Sequence, residues 1–411
     1  MTKKKIVVIG LGYIGLPTSV LIANAGYEVL GYDINEAIVK NLNKGILHIR
    51  EPGLEKNLKR AIKNKKFIAH SKIQKGDVYI ICVPTPIKKI NNLNTPDIDF
   101  VVKAAREISS ILKDEDLIIL ESTCPVGTLE KVNQIFQENR VKTNKIHLAY
   151  CPERVLPGKM MQELIYNERI IGGFARESSN KIANFYKSFT KSKISITDAR
   201  TAEMCKLTEN SFRDINIAFA NEISNICDRE KINVWELINL ANKHPRVNIL
   251  QPGIGVGGHC IAVDPWFIIY RNRNQANLIK NARSTNLSKT KSVINKIKNF
   301  SKSMKKSKMN KSIKIICLGL SYKPDIDDLR ESPAVNIVET LTNDGYKIKA
   351  VEPHIKFHPK IKLTNINAIF EDNIIVVVLV PHTQFGKSKY LKRLKLINTL
   401  DFCGLLNSDK R

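Results

Sequence analysis

Ile6-Val7-Val8-Ile9-Gly10-Leu11-Gly12-Tyr13-Ile14-Gly15 decides the fold. The four β-branched residues fit a strand buried on both faces of a parallel sheet. Gly10, Gly12 and Gly15 follow in the order of a phosphate turn, Leu16 to Ala25 continues as helix, and Gly26 serves as its C-cap. A second strand, Glu28 to Tyr32, ends on Asp33. The first glycine permits the tight turn, the second lets a pyrophosphate approach, and the third lets helix and strand pack closely. Tyr13 and Ile14 stand between them on the same turn. An acid about 20 residues on accepts hydrogen bonds from the adenosine ribose and repels a 2′-phosphate. The stretch therefore predicts a βαβ dinucleotide site that prefers NAD to NADP.

Lys3-Lys4-Lys5 ahead of an apolar run imitates a secretory signal, but three glycines and Pro17 suit a phosphate turn better. The densest late apolar run, Ile374 to Val380, is far short of the ~18 residues a spanning helix needs, so it reads as a buried strand. The expectation is a cytoplasmic protein with no membrane span. Eight cysteines are scattered without a Cys-x-x-Cys pair, which favours reduced thiols over disulfides or zinc. His354 and His358 are bracketed by Pro353 and Pro359, so they are not expected to share a helical face, and no metal is predicted.

The formal net charge is +27. Nucleic-acid binding, steering of an anionic small molecule, and a lysine-rich bias on solvated faces are the three readings. The lysines are spread along the chain, and no nucleic-acid-binding motif is present, so no nucleic-acid partner is expected. Lys289 to Lys314 is the one dense stretch, read as a basic amphipathic helix and a linker.

At 411 residues and 43% hydrophobic, the chain can build two or three cores. Residues 1–195 alternate strands (Val78 to Val83, Leu117 to Leu120, Ile146 to Ala149) with helices, which implies an α/β fold with a parallel, doubly wound sheet. Residues 196–305 read as almost wholly helical from Thr201 to Phe300. In Thr201 to Glu230 the apolar residues Met204, Leu207, Phe212, Ile215, Phe219 and Ile223 suggest a buried or dimer-facing helix. Residues 306–411 restart the pattern: strand Lys314 to Leu318, Gly319-Leu320-Ser321-Tyr322, a helix from Pro333 to Asp344, and a strand Ile348 to Val351. This second Rossmann-like half lacks the full glycine signature and is expected to take a different nucleotide.

Gly257-Gly258-His259-Cys260-Ile261-Ala262-Val263-Asp264 puts a thiol on a glycine-rich turn with a carboxylate four residues on. Glycine allows positive φ and close approach to a ligand, and a thiolate is a strong nucleophile. A buried cysteine after an ordinary turn is the bland alternative.

With Val83-Pro84-Thr85-Pro86, Ser122-Thr123-Cys124-Pro125-Val126-Gly127-Thr128, Cys151-Pro152-Glu153-Arg154, Glu203 to Asn210 and Tyr322-Lys323-Pro324 through Arg330 to Pro333, the chain resembles the UDP-glucose/GDP-mannose dehydrogenase family over nearly its full length. The resemblance implies two Rossmann-like domains, one for NAD and one for the UDP-sugar, joined by a helical dimerisation domain. It implies a four-electron oxidation of a sugar C6 alcohol to a carboxylate, giving a precursor of surface polysaccharide. Lys206 and Asp264 resemble the residues that take the alcohol proton and hold the C6 oxygen. Cys260 would tether the aldehyde as a thiohemiacetal and then a thioester. Glu153 resembles the acid that works on the hydrolytic water, with Thr123 and Asn210 ordering the site.

Tyr13, Ile14, Asp33, Thr85, Thr123 and Arg330 match the family's NAD contacts. Arg154, Val155, Lys206, Asn210, Arg213, Gly257, Tyr322 and Lys323 match sugar-nucleotide contacts, and His244 and Arg246 match contacts from a neighbouring subunit. A homodimer or larger homo-oligomer with a shared active site follows. His259, Ala262-Val263 and Pro265-Trp266 favour UDP-N-acetyl-D-mannosamine as substrate. UDP-glucose enzymes usually carry lysine at the position of Val263, and those acting on UDP-N-acetylglucosamine more often carry proline at Ala262. Those two sugars are the alternatives. Polar residues at i, i+4 and i+7 (Lys206, Asn210, Arg213) are also what a solvated helix face provides. A non-catalytic nucleotide-binding or basic interaction protein is the reading from another class.

Overall fold

The computed structural model describes residues 4–91, 93–307 and 313–410. The chain divides into two compact units, Met1–Glu209 with Trp266–Tyr270, and Asn210–Pro265 with Arg271–Arg411.

The first unit is built on β1 (Lys5–Ile9), β2 (Glu28–Tyr32), β3 (Phe67–His70), β4 (Val78–Ile81), a hairpin of β5 (Ile87–Ile90) and β6 (Leu93–Pro96), β7 (Leu117–Leu120), β8 (His147–Tyr150), β9 (Arg169–Gly173) and β10 (Ile194–Asp198). The large sheet has the order β3-β2-β1-β4-β7-β8-β9-β10. Alternation of side chains explains why its central strands are apolar on both faces once past Lys5. Ile6, Val8, Val78, Ile80, Leu117 and Ile119 pack into one core. Val7, Ile9, Tyr79, Ile81, Ile118 and Leu120 pack into a second. Helices cover both faces, and each fully buried aliphatic side chain contributes about 1.5–3 kcal/mol.

The sheet is parallel from β3 to β8, as expected, and then departs from that reading. β9 pairs antiparallel to β8 through Tyr150↔Gly172 and Ala149↔Gly173, and β10 runs parallel to β9. A side chain at Gly172 would lie 2.2 Å from the Asp198 carbonyl oxygen, so this edge closes only with glycine there.

The strand order turns back on itself between β1 and β4, which leaves a crevice at the carboxyl ends of these strands. The Gly10 turn follows β1, Asp33 follows β2, Thr85 lies beyond β4, Thr123 beyond β7 and Glu153 beyond β8. Residues far apart in sequence are thus delivered to one edge of one sheet.

The second unit holds a parallel sheet in the order β12-β11-β13-β14, formed by β11 (Lys314–Leu318), β12 (Lys347–Val351), β13 (Ile374–Val378) and β14 (Thr399–Asp401). Helix Pro333–Asn343 starts where the sequence puts it. Pro333 opens the first turn, and the Ser332 hydroxyl accepts from the Val335 amide. The segment expected to be almost wholly helical has one long interruption. Helices span Ala199–Glu230, Val234–Ala241, Asp264–Arg271 and Asn277–Ser307, whereas residues 242–263 form turns and irregular chain. Pro245, Pro252 and four glycines between 253 and 258 account for the break. The expected linker runs across residues 308–312, which lie outside the described residues. No helix among the described residues is long and apolar enough to cross a membrane.

The third glycine of the first turn gives a sharp stability prediction. A Cβ at Gly15 would lie 1.8 Å from the Gly10 carbonyl oxygen, a backbone atom that cannot step aside. Gly15→Ala is expected to destabilise the first unit by about 3 kcal/mol or more. A thermal melt of this variant should show the loss, and an unchanged melt would contradict the packing.

Candidate active site

Three observations test the Gly10 turn for a dinucleotide. Gly10 has φ +92°, and a side chain there would come within 2.7 Å of the Cys82 carbonyl oxygen. A Cβ at Gly12 would meet nothing within 4 Å, so the middle of the turn is open to a ligand. The helix Gly15–Asn24 has Ile14 as N-cap, no capping side chain and no acid in its first turn. Its N-terminal dipole is left for a pyrophosphate. Tyr13 and Ile14 are half-buried on this turn. One Asp33 oxygen accepts from the Leu11 amide at 3.0 Å and the other from the Asn35 amide at 2.9 Å, which fixes the carboxylate beside the turn. These residues fit NAD. His48 belongs to the same corner and was missed in the sequence. Its neighbours are Asp33 and the Leu11 backbone, and burial lowers its pKa despite the nearby carboxylate.

Further along this sheet edge, the Thr85 hydroxyl donates to the Thr123 carbonyl at 2.5 Å, which joins the loops after β4 and β7. Glu153 is buried. One of its oxygens accepts from the Arg154 amide at 2.7 Å, and the other meets Arg169 Nη1 at 3.1 Å. The Arg154 guanidinium turns away from the Glu153 carboxylate to Glu209, 2.7 Å away, and to the Glu168 carbonyl. Val155 follows, half-buried. Lys206 Nζ donates to the Glu153 carbonyl at 2.7 Å, so the lysine and the acid are held together.

Glu203, one turn before Lys206, is fully buried and accepts from the Gly127 amide at 2.6 Å and the Leu129 amide at 2.8 Å. It ties the Lys206 helix to the Thr123 loop. Burial pushes its pKa up to about 7 against those two amides. Glu51 fixes the segment after Glu153 in the same way, accepting from the amides of Gly158 and Met160, both at 2.8 Å.

The second unit, taken by itself, carries a thiol on a glycine-rich turn. Cys260 is half-buried and in no disulfide, and its carbonyl accepts from the amides of Val263 at 3.0 Å and Asp264 at 2.8 Å. That turn leads into the helix beginning at Asp264. A side chain at Gly257 would come within 2.6 Å of the Glu331 carbonyl and 2.7 Å of Tyr322 Cβ. Gly258 has φ +80° and lies against the Tyr322 ring. The Gly258 amide donates to the Arg330 carbonyl, while the Arg330 guanidinium holds Asp328 at 2.6 Å. Gly257, Tyr322, Arg330 and the cysteine turn therefore form one structure. Lys323 is next in line, its carbonyl accepting from the Ser321 hydroxyl. Asn210 Nδ2 donates to Asp264 Oδ2 at 2.5 Å, and both residues are buried.

Arg213 shares the helix Ala199–Glu230 with Lys206 and Asn210 but is exposed. His244 and Arg246 stand on the exposed turn after helix Val234–Ala241. Lys289, read as part of a basic face, is instead buried against Ser224 and Asn225, and burial with Lys296 nearby lowers its pKa to about 8.

The second Rossmann-like half repeats the acid of the first with a different use. Glu352, after β12, accepts from the amides of Leu320 and Ser321, as Asp33 does from Leu11. It is buried and meets His382 Nε2 at 3.0 Å, so it is closed to a ribose. Asp325, His354 and His382 bring possible ligand atoms within 4.8 Å of one another. His382 Nδ1 already accepts from the Asp325 amide at 2.9 Å, and its Nε2 faces Glu352. That trio reads as an internal hydrogen-bond network.

A dinucleotide turn at one sheet edge, with the buried Glu153 further along it and Lys206 on its backbone carbonyl, marks a nicotinamide-dependent dehydrogenase. Family models agree. Residues 4–190 match the NAD binding domain of the UDP-glucose/GDP-mannose dehydrogenase family, 200–288 its central domain and 316–407 its UDP binding domain. The chain belongs to this family, whose members are NAD-dependent nucleotide-sugar dehydrogenases. It is 48% identical over 398 residues to a UDP-N-acetyl-D-mannosamine dehydrogenase from Campylobacter jejuni, covering 93% of this chain and 96% of that one. It is 46% identical to an NDP-N-acetyl-D-galactosaminuronic acid dehydrogenase from Ralstonia nicotianae, covering 93% and 92%. Among solved structures, a UDP-D-ManNAc dehydrogenase from Pyrococcus horikoshii superposes with a TM-score of 0.87 at 35% identity, covering 98% and 96%.

Proposed function

We propose that this protein oxidises the C6 alcohol of UDP-N-acetyl-D-mannosamine to the carboxylate, with Cys260 holding the sugar between the two oxidations. The observation that carries the reading is the cysteine turn: a half-buried thiol, fixed through Gly257 and Gly258 to Tyr322 and Arg330, with Asp264 four residues on. The name of the Campylobacter relative supports the substrate, as do Ala262 and Val263 in this chain. NAD, when bound, takes up a hydride in each oxidation.

The chain's own residues do the rest. Asp264 receives the alcohol proton through a water, while Lys206 and Asn210 hold the C6 oxygen and the Lys206 ammonium stabilises the negative charge that develops on it. At the aldehyde level Cys260 adds to C6, forming a C–S bond while the carbonyl oxygen takes a proton. At the thioester level Glu153 draws a proton from water as it attacks C6, and the thiolate leaves. Thr85 and Thr123 shape the cofactor side of this edge. Tyr322, Lys323, Arg154, Val155 and Arg213 hold the nucleotide sugar, and Arg330 reaches the cofactor. Three domains share the work: 1–195 for NAD, 196–305 as a helical centre, and 306–411 for UDP. A panel of UDP- and GDP-sugars, followed by NADH absorbance, tests the reading. It expects two NADH per UDP-N-acetyl-D-mannosamine and no free aldehyde. One NADH per sugar, or faster turnover of UDP-glucose, would overturn it.

We further propose that a second copy of the chain covers the helix Ala199–Glu230. Phe212, Phe219 and Ile226 recur every seven residues and are 66%, 50% and 49% exposed, an apolar stripe of the kind that pairs helices. His244 and Arg246 would then serve the neighbouring subunit's site. Phe212→Glu with Phe219→Glu is expected to give a monomer by native mass spectrometry with at least a tenfold loss of kcat/KM, on the order of 1.4 kcal/mol. An unchanged assembly would exclude this face.

A further inference from the structure

Behind Glu153 lies a buried chain of polar groups that the reaction scheme does not use. Glu121, directly after β7, is 2% exposed. Its Oε1 accepts from the Tyr186 hydroxyl at 2.5 Å, and its Oε2 accepts from the Cys82 thiol at 3.2 Å. The Tyr186 ring is covered by the Arg169 guanidinium, 4.6 Å from its centroid. Arg169 Nη1 reaches Glu153 at 3.1 Å, Nη2 donates to the Leu164 carbonyl, and Nε has no hydrogen-bond partner. One guanidinium thus serves two buried carboxyls, Glu153 by direct contact and Glu121 across the tyrosine ring. Cys151, on the segment after β8, completes the surroundings.

We propose that Glu121 is a positioning residue whose ionisation, transmitted through Tyr186 and Arg169, sets the basicity of Glu153. This deepens the reading of Glu153 as the residue that works on water and rests on it.

The groups facing Glu121 are Cys82 beyond β4, Cys151 and Glu153 beyond β8, Arg169 on β9, and Tyr186 on helix Arg176–Lys187. Burial first, then the Glu153 charge, lift the Glu121 pKa to about 7, while Arg169 and the two hydrogen bonds oppose the rise. Burial pushes the Cys151 thiol to about 12 and raises the Cys82 thiol and the Tyr186 phenol well above their usual ranges, so none of these three titrates near neutrality. Arg169 stays cationic. Below the Glu121 pKa a neutral Glu121 lies beside the Arg169–Glu153 ion pair. Above it one negative charge is added in a region of low dielectric. That charge disfavours an anionic Glu153 and makes Glu153 a stronger base. Water attack on the thioester therefore speeds up as pH rises through neutrality.

The test follows decay of the acylated enzyme by rapid quench and intact-protein mass, from pH 5.5 to 8.5. Wild type is expected to show a rise of roughly two- to tenfold with its midpoint near the Glu121 pKa. Glu121→Gln keeps the shape and removes the charge, so the midpoint should vanish while KM for the nucleotide sugar stays within about twofold. Tyr186→Phe removes a donor that favours the ionised form, so the midpoint should move to higher pH. An unmoved midpoint in either variant overturns the inference. So does a Glu121→Gln enzyme that cannot be acylated, because Glu121 has no part in the steps before the thioester. Glu153→Gln separates the two readings. Decay at the wild-type rate in that variant sinks the role of Glu153 itself. Slow decay there, with a midpoint persisting in Glu121→Gln, sinks the Glu121 inference alone.

Discussion

Cys260→Ala is expected to stop acid formation altogether, and Cys260→Ser to slow it by about a thousandfold, near 4 kcal/mol in activation free energy. The two variants fail for different reasons. Alanine provides no tether, so oxidation ends at the aldehyde and NADH appears at one equivalent per sugar at most. Serine can add to the aldehyde, but an alkoxide leaves an acyl group far less readily than a thiolate does. The serine enzyme should therefore accumulate an acylated peptide containing position 260, visible by mass spectrometry after quenching. Two NADH per sugar with undiminished turnover in Cys260→Ala would sink the covalent scheme.

The buried cysteines and Cys82 are not candidates to replace it. Cys124, Cys151, Cys227 and Cys317 are buried, and burial lifts the thiols of Cys151 and Cys317 to about 12. Cys82 donates its proton to Glu121. Cys260 differs by its place on a glycine-rich turn whose amides close on its own carbonyl, directly ahead of the helix that begins at Asp264.

What could be read in the sequence and what could not divide along physical lines. The strands β1, β4, β7, β11 and β13 were legible because a strand buried on both faces must be apolar at every buried position, and only the leading Lys5 and Lys314 depart from this. The Gly10 turn was legible because each glycine there answers a separate steric demand. The reversal of β9 was not legible, since Arg169-Ile170-Ile171-Gly172-Gly173 carries no mark of strand direction. The break at residues 242–263 was readable from Pro245, Pro252 and the glycines, and apolar periodicity on either side masked it. The buried charges were the hardest to see. Glu121, Arg169, Glu203, Asp214 and Arg283 look like surface residues one at a time, and their partners lie far away in sequence, as with Arg283 and Asp214 at 2.6 Å. One signal was available: Glu121 and Arg169 each adjoin an apolar strand run, where an isolated charge must find a buried partner.

Lys206→Ala is expected to lower kcat by about 10²–10⁴-fold while KM for the nucleotide sugar changes only a few-fold. Lys206 Nζ is held by the Glu153 carbonyl at 2.7 Å, a contact that points the ammonium without neutralising it. A carbonyl leaves the full positive charge available to an oxygen that gains negative charge as its proton departs. Lys206→Arg should recover little of the rate. The planar guanidinium keeps the charge, but it is longer and spreads that charge over a fork, so it does not fit the 2.7 Å contact or focus the charge on one oxygen. The step affected is the first oxidation, and this separates the lysine from Glu153. With C6-deuterated sugar, Lys206→Ala should show a primary isotope effect on kcat, because removing hydrogen from C6 becomes limiting. Glu153→Gln should show none, because hydrolysis limits it. A Lys206→Ala enzyme that keeps more than about a tenth of wild-type kcat, or slows without an isotope effect, would remove Lys206 from the chemistry and leave it as a strut for the Glu153 segment.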